Sequence, residues 1–280
     1  MIVTIVGVGL IGGSLALDLR ANGFADKLIG VENNDCNKKR ALALGLVDEF
    51  KNLKAAVEES NLIVLTIPVE GIVVALKNTL NYINMQQTVV DMGSTKNHIV
   101  SSVKDNINFK RYVPTHPMAG TEYSGPDAAV KNLFANKVAI ICDKENCDKD
   151  ALRIAEKMYK SLFMKIIYMN SAEHDVHAAY VSHISHISSF LLANTVLEKE
   201  QIDENIFNLA SGGFESTVRL AKSSPKMWTD VFKQNTDNII EVLDTYLQLL
   251  HQFKSYMVQK DFEKIYEQIE MANRIKRIIK

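Results

Sequence analysis

The sequence predicts an α/β protein in two parts, a strand-and-helix half over 1–169 and an all-helical half over 170–280. Three observations predict it. A β-branched run at the start leads into a glycine-rich turn and then a helical pattern. Strand-like apolar runs keep alternating with helical stretches as far as Met169. From Ser171 onward every long segment has helical period and no strand signal.

The first strand is Ile2–Val6, and its continuous apolar character suits a parallel strand covered on both faces. Gly7, Val8, Gly9, Leu10, Ile11, Gly12, Gly13 and Ser14 follow at once, and a helical pattern runs on to Arg20. A G-x-G-x-x-G between a strand and a helix is the dinucleotide fingerprint in its working context. Gly7 permits the tight turn, Gly9 lets backbone approach a pyrophosphate, and Gly12 lets helix and strand pack closely. Leu10 and Ile11 open the helix whose N-terminus faces the phosphates. The first half is therefore expected to be a Rossmann-type dinucleotide-binding domain.

The second strand, Lys27–Val31, ends at Glu32, 20 residues after Gly12. An acidic side chain there accepts hydrogen bonds from the adenosine ribose. Asn33 and Asn34 follow, with no cation before Lys38, so a 2′-phosphate would be repelled and NAD is the expected cofactor. The third clear strand runs from Asn61 to Ile67 and stops at Pro68. Thr66 and Pro68 then either form the wall beside the cofactor or simply end the strand. After the strand Thr88–Asp91, Ser94 stands at a strand-to-helix junction. Its hydroxyl either caps the following helix, expected to reach about Asn106, or reaches the nicotinamide and the substrate.

The stretch from Val113 to Glu122 holds His116 between Pro114 and Pro117. Each proline fixes its own φ and biases the preceding residue to extended geometry, which makes a rigid mount for an imidazole. A short strand over 110–113 and a turn over 119–121 place His116 at a strand's carboxyl end, where open α/β sheets bind ligands. The other reading is a buried histidine held by backbone partners.

In the second half, a long helix is expected from Ser171 to about Glu198, carrying His174, His177, His183 and His186. At about 100° per residue the first two and the last two histidines point to opposite sides, so one ion is not held by both pairs. No metal is expected, and histidines facing an anionic substrate are the better functional reading. A helix break runs from Asn208 through Gly212 and Gly213. Arg219 follows, either a surface arginine or a bidentate grip on a carboxylate. The sole tryptophan, Trp228, opens a helix running to about Met257. Its apolar stripe of Ile239, Leu243, Tyr246, Leu247 and Leu250 is wide enough to pack against a partner subunit.

Composition excludes other classes. With 32 basic and 33 acidic residues, nothing points to nucleic acid or an anionic membrane. The three cysteines, Cys36, Cys142 and Cys147, form no Cys-x-x-Cys pair, so neither a disulfide framework nor a zinc site is expected. No leader or membrane-spanning run is evident, and a cytoplasmic location is expected.

Taken in order, these pieces resemble the prephenate dehydrogenase family of tyrosine biosynthesis, which includes arogenate dehydrogenases. The likeness covers nearly the whole chain. It is carried by the fingerprint from Gly7 to Ser14, Asp91-x-Gly93-Ser94-x-Lys96, and His116 through Glu122. Ser182-His183-x-x-His186, Gly212-Gly213-Phe214, Arg219 and Pro225 to Trp228 complete it. The resemblance implies NAD-dependent oxidative decarboxylation of prephenate to 4-hydroxyphenylpyruvate, with arogenate as the alternative substrate. It implies that His116 is the base, that Ser94 orients the substrate hydroxyl or the imidazole, and that Arg219 binds a substrate carboxylate. His186, Ser182 and Glu122 become pocket residues, and Trp228 one that reaches in from the other subunit of a homodimer. Two departures stand out. Glu215 and Ser216 occupy positions where many relatives have Arg and Asp, and 23 residues after Met257 are too few for the amino-acid-sensing ACT domain that many relatives carry. A β-hydroxyacid dehydrogenase shares the layout but usually keeps a catalytic lysine on a helix. A protein that only senses NAD redox state would have no use for His116 with Arg219.

Overall fold

The computed structural model describes residues 1–200, 206 and 209–278. Asn208, where the helix break was expected to begin, lies outside the described residues. The chain forms two compact units, Met1–Asn235 and Thr236–Lys280.

In the first unit, the described residues place eight strands in one sheet: β1 (Ile2–Val6), β2 (Lys27–Val31), β3 (Glu49–Phe50), β4 (Leu62–Leu65), β5 (Thr88–Asp91), β6 (Tyr112–Pro117), β7 (Val138–Cys142) and β8 (Lys165–Met169). Their order is β3-β2-β1-β4-β5-β6-β7-β8. The order reverses between β1 and β4, and the crevice beyond the carboxyl ends of those strands is where such sheets take a ligand. All pairs are parallel except β6 with β7. The two prolines of β6 sit within a strand that changes partner midway. Tyr112 to Pro114 pair with β5, whereas Thr115 to Pro117 pair with β7, opposite Ile141 to Ala139. The expected strand over 110–113 thus starts later, because Phe109–Arg111 is a 3-10 turn.

Helices cover both faces: α1 (Leu10–Ala21), α2 (Asp35–Ala43), α3 (Leu53–Glu59), α4 (Val69–Tyr82), α5 (Asn97–Ser101) and α6 (Lys149–Ser161). Alternation along β1 sends Val3 and Ile5 to one core with Leu15 and Leu19 of α1, while Val6 joins Ile72, Leu76 and Leu80 of α4 in the other. Each such side chain contributes roughly 1.5–3 kcal/mol on burial. The α5 helix ends at Ser101, short of the expected Asn106, in a run of turns.

The remaining helices are α7 (Ser171–Ala178), α8 (Ile184–Glu200), α9 (Gly212–Val218), α10 (Pro225–Gln234), α11 (Thr236–Gln259) and α12 (Phe262–Ala272). Two expectations need correction. The helix from Ser171 is not uniform, since Ala179–His183 forms a π-helical turn. The helix after Pro225 is two helices, broken at Asn235. The compact units divide after Asn235, and α7 is hydrogen-bonded to the loop before α5 and to Asn235. In the second unit α11 and α12 form a hairpin turned at Lys260, whose φ is +54°. Among the described residues no helix is long and apolar enough to cross a membrane.

Candidate active site

The glycine turn after β1 meets the demands of a phosphate cradle. Gly7 has φ +94°, and its N–H donates to the Val31 carbonyl at 2.8 Å, tying the ends of β1 and β2 together. A Cβ at Gly12 would lie 2.1 Å from the Gly7 carbonyl oxygen, so only glycine permits this closeness of helix and turn. Gly9 is the N-cap of α1 and offers no side-chain cap, and the first-turn N–H groups at Leu10 and Ile11 lie at the helix end where an anion binds. Thr66 donates from Oγ1 to the Gly7 carbonyl at 2.6 Å, bracing the turn from β4. Pro68, exposed, is the N-cap of α4.

Glu32 lies one residue past β2, where its Oε1 accepts the N–H groups of Asn33 and Asn34 at 2.9 and 3.0 Å. Two cations of α2 already face acids. Lys38 pairs with Asp35 at 2.9 Å and Arg40 with Asp127 at 2.6 Å. The residues present thus fit a dinucleotide with a free ribose 2′-hydroxyl.

Ser94 sits in the loop between β5 and α5 but does not cap the helix. Lys96 holds the N-cap position, and Asp175 of α7 accepts the N–H groups of Lys96 and Asn97 at 2.7 and 2.9 Å. The structure forms no hydrogen bond between Ser94 and His116 among the described residues. Lys96 is fully buried and its ammonium is paired with Asp91, which also accepts from Tyr112 Oη at 2.7 Å and from the Gly93 N–H at 2.8 Å.

His116 is part-buried near the end of β6, and its Nδ1 lies 2.8 Å from Nε2 of His174. The Nδ1 of His174 lies 2.8 Å from Asp175 Oδ1. Asn235 donates from Nδ2 to the Asp175 carbonyl at 2.8 Å and faces His183 Nδ1 at 3.1 Å. Burial holds the pKa of His116 well below the usual histidine range, and His174, Lys96 and His183 add to the effect. Burial likewise pushes His183 down to about 4 and lowers His186. These imidazoles are neutral near pH 7.

Two further pairs join candidate pocket residues. Arg219 Nη1 meets Glu122 Oε2 at 3.0 Å, the arginine half exposed and the carboxylate largely covered. His186 stacks on Trp228 with centroids 3.5 Å apart and donates from Nδ1 to the Ser182 carbonyl at 3.0 Å. Trp228 is 7% exposed and packs against His183, His186 and Phe232 of its own chain. A cavity of about 560 Å³ beside it is lined by Phe190, Leu197, Phe214, Val218 and Phe232, with none of the His116 cluster.

The sequence did not single out Asp175 or Asn235, and it gave His174 only as one of four helix histidines and Lys96 only as part of a motif. It also set His183 on the side opposite His174. A π turn takes in one more residue than an α-helical turn, so everything after Ala179–His183 is re-phased against α7. Among the described residues no group of three or more His, Cys, Asp or Glu is arranged to hold a metal ion.

Comparison with known proteins gives a consistent picture. Residues 15–168 match the model of the prephenate dehydrogenase nucleotide-binding domain, and 170–271 that of the prephenate dehydrogenase dimerization domain. The prephenate dehydrogenase of Bacillus subtilis is 31% identical over 274 residues, covering 96% of this chain and 74% of that protein. The Aquifex aeolicus prephenate dehydrogenase, solved in complex with hydroxyphenyl propionate and NAD+, superposes with a TM-score of 0.90 at 32% identity, covering 99% of this chain and 97% of that one. The Synechocystis arogenate dehydrogenase superposes with a TM-score of 0.79 at 28% identity, covering 99% of both chains.

Proposed function

This chain belongs to the prephenate dehydrogenase family, and from that premise we propose that it catalyses the NAD-dependent oxidative decarboxylation of prephenate to 4-hydroxyphenylpyruvate in the cytoplasm. The observation that carries the proposal is His116, a neutral imidazole braced from behind by His174 and standing near the carboxyl ends of the sheet strands. Residues 1–169 serve the dinucleotide and residues 170–280 the substrate and dimer contact, a division supported by the limits of the two family models.

When bound, NAD accepts the hydride. His116 takes the proton of the C4 hydroxyl as hydride leaves C4, and C4 becomes a carbonyl. The bond from C1 to its carboxylate then breaks, and its electron pair enters the ring. Carbon dioxide leaves, the C4 oxygen becomes phenolic, and His116 returns the proton to it. No net proton is taken up. Ser94 orients the hydroxyl. Arg219 holds a substrate carboxylate, and its five N–H donors leave room for this beside Glu122. His186, stacked on Trp228 near Ser182, walls the ring.

A homodimer through the helical half is supported by exposed Tyr246, Leu247, Leu250, Phe253 and Met257 on α11; Ile239, from the expected stripe, is buried in its own chain. Arogenate is the second reading, favoured by the likeness to the Synechocystis arogenate dehydrogenase. Steady-state rates with prephenate and arogenate, each with NAD and NADP, test the proposal. Higher kcat/KM with prephenate and NAD is expected, and a folded protein that turns over neither substrate overturns it.

A further inference from the structure

Three donors converge on Asp175. Its Oδ1 accepts the Lys96 N–H at 2.7 Å and faces His174 Nδ1 at 2.8 Å, and its Oδ2 accepts the Asn97 N–H at 2.9 Å. Both oxygens are therefore acceptors, and with a single proton on its ring His174 must carry it on Nδ1, facing Oδ1. His174 Nε2 is then the bare nitrogen. It lies 2.8 Å from His116 Nδ1, so His116 must donate there. The remaining nitrogen of His116, Nε2, keeps its lone pair and has no hydrogen-bond partner among the described residues. Every tautomer in the chain follows from the two backbone N–H groups at its far end.

We propose that His174 and Asp175 are positioning residues that, with His116, form a buried Asp–His–His relay fixing His116 as an Nε2 base and sharing the charge it acquires. The relay rests on the reading of His116 as the base. The geometry supports it on three counts. His174 and Asp175 are 1% and 2% exposed, so water does not compete for their hydrogen bonds. Asn235 clamps the Asp175 carbonyl, fixing α7 from the other side. His174 is hydrogen-bonded to His116, and His174, Lys96 and His183 all disfavour a cation there. Lys96 is already matched by Asp91, so Asp175, one imidazole away, is the carboxylate in line to stabilise the imidazolium as it forms. When the substrate hydroxyl gives its proton to His116 Nε2, the Nδ1 proton of His116 can shift toward His174 Nε2. The positive charge then moves next to Asp175, and the transfers reverse when the phenolic oxygen is reprotonated.

The test uses nitrogen-15 shifts of the imidazoles in the substrate-free protein together with steady-state kinetics. In the wild type, His116 should show a protonated Nδ1 and a bare Nε2. His174→Phe removes both hydrogen bonds; it should scramble the His116 tautomers, lower kcat by ~10- to 100-fold with KM changed less than ~3-fold, and move the acid limb of the kcat profile. His174→Gln restores an acceptor toward His116 and a donor toward Asp175 but carries no proton. It should recover the tautomer and only part of kcat. A wild-type His116 protonated at Nε2, or His174→Phe with unchanged kcat and acid limb, overturns the relay. Because the first measurement needs no variant, the test stands even if His174→Phe folds poorly. A wild type with the expected tautomers but no turnover of either substrate supports the hydrogen-bond chain and overturns the function proposed above.

Discussion

Arg219 and Glu122 stand 97 positions apart in the sequence, yet their side chains meet at 3.0 Å. The pair fixes a guanidinium with one carboxylate attached, and the remaining donors of its planar fork are what the proposed grip on a substrate carboxylate would use. Arg219→Ala should weaken substrate binding by about 2–4 kcal/mol, read as a raised KM with a smaller change in kcat. Glu122→Gln keeps the arginine and should change KM by less than ~10-fold. An unaltered KM in Arg219→Ala would place the carboxylate grip elsewhere.

His116→Asn should fail differently. It keeps a hydrogen-bonding side chain that takes no proton, so kcat should fall ~10²- to 10⁴-fold with KM nearly unchanged. The acid limb of the wild-type kcat profile, where His116 becomes protonated in the complex, should disappear in the variant. Full turnover by His116→Asn would move the base to another residue, His186 first.

Cofactor choice should follow Glu32. Its carboxylate sits past β2 with Lys38 and Arg40 engaged by Asp35 and Asp127, so NAD should be preferred over NADP. Glu32→Ala should narrow the preference, and equal or better kcat/KM with NADP in the wild type would sink the assignment.

Acid should destabilise the fold before the carboxylates titrate. His116, His183 and His186 all have folded-state pKa values below the ordinary 6.5, that of His183 about 4. Unfolding therefore takes up protons in that window. The stability from keeping them neutral is fully present above 6.5 and is lost as pH falls below it. The loss approaches about 1.4 kcal/mol per pH unit for each group fully inside the window. Asp18, whose pKa is raised by burial, works in the opposite sense at the low end. Urea melts between pH 7 and pH 5 measure the slope; a flat profile would contradict these burials.

Association is the remaining test. Exposed Tyr246, Leu247, Leu250, Phe253 and Met257 on α11 should be covered in a homodimer. Sedimentation at assay concentration should show a dimer. An active monomer would rule out a shared site.

The sequence by itself determined most of the strands, the cofactor turn and the catalytic candidate, because these depend on local rules. A buried parallel strand is a run of apolar residues, a pyrophosphate turn needs glycine where a Cβ would strike the Gly7 carbonyl, and a histidine between prolines has little conformational freedom. Tertiary structure alone decided what stands behind that histidine. The bond from His116 to His174 spans 58 positions and that from Asp175 to Lys96 spans 79, so neither leaves a local pattern. The π turn at Ala179–His183 re-phases the histidines after it, and a uniform 100° wheel set His183 on the wrong side because extra residues in a helical turn are selected by packing rather than by local propensity. From the sequence Arg219 was either a surface arginine or a grip on a carboxylate. That Glu122 would already hold it depended on the fold bringing the loop after β6 to the 3-10 turn Arg219–Lys222 that follows α9.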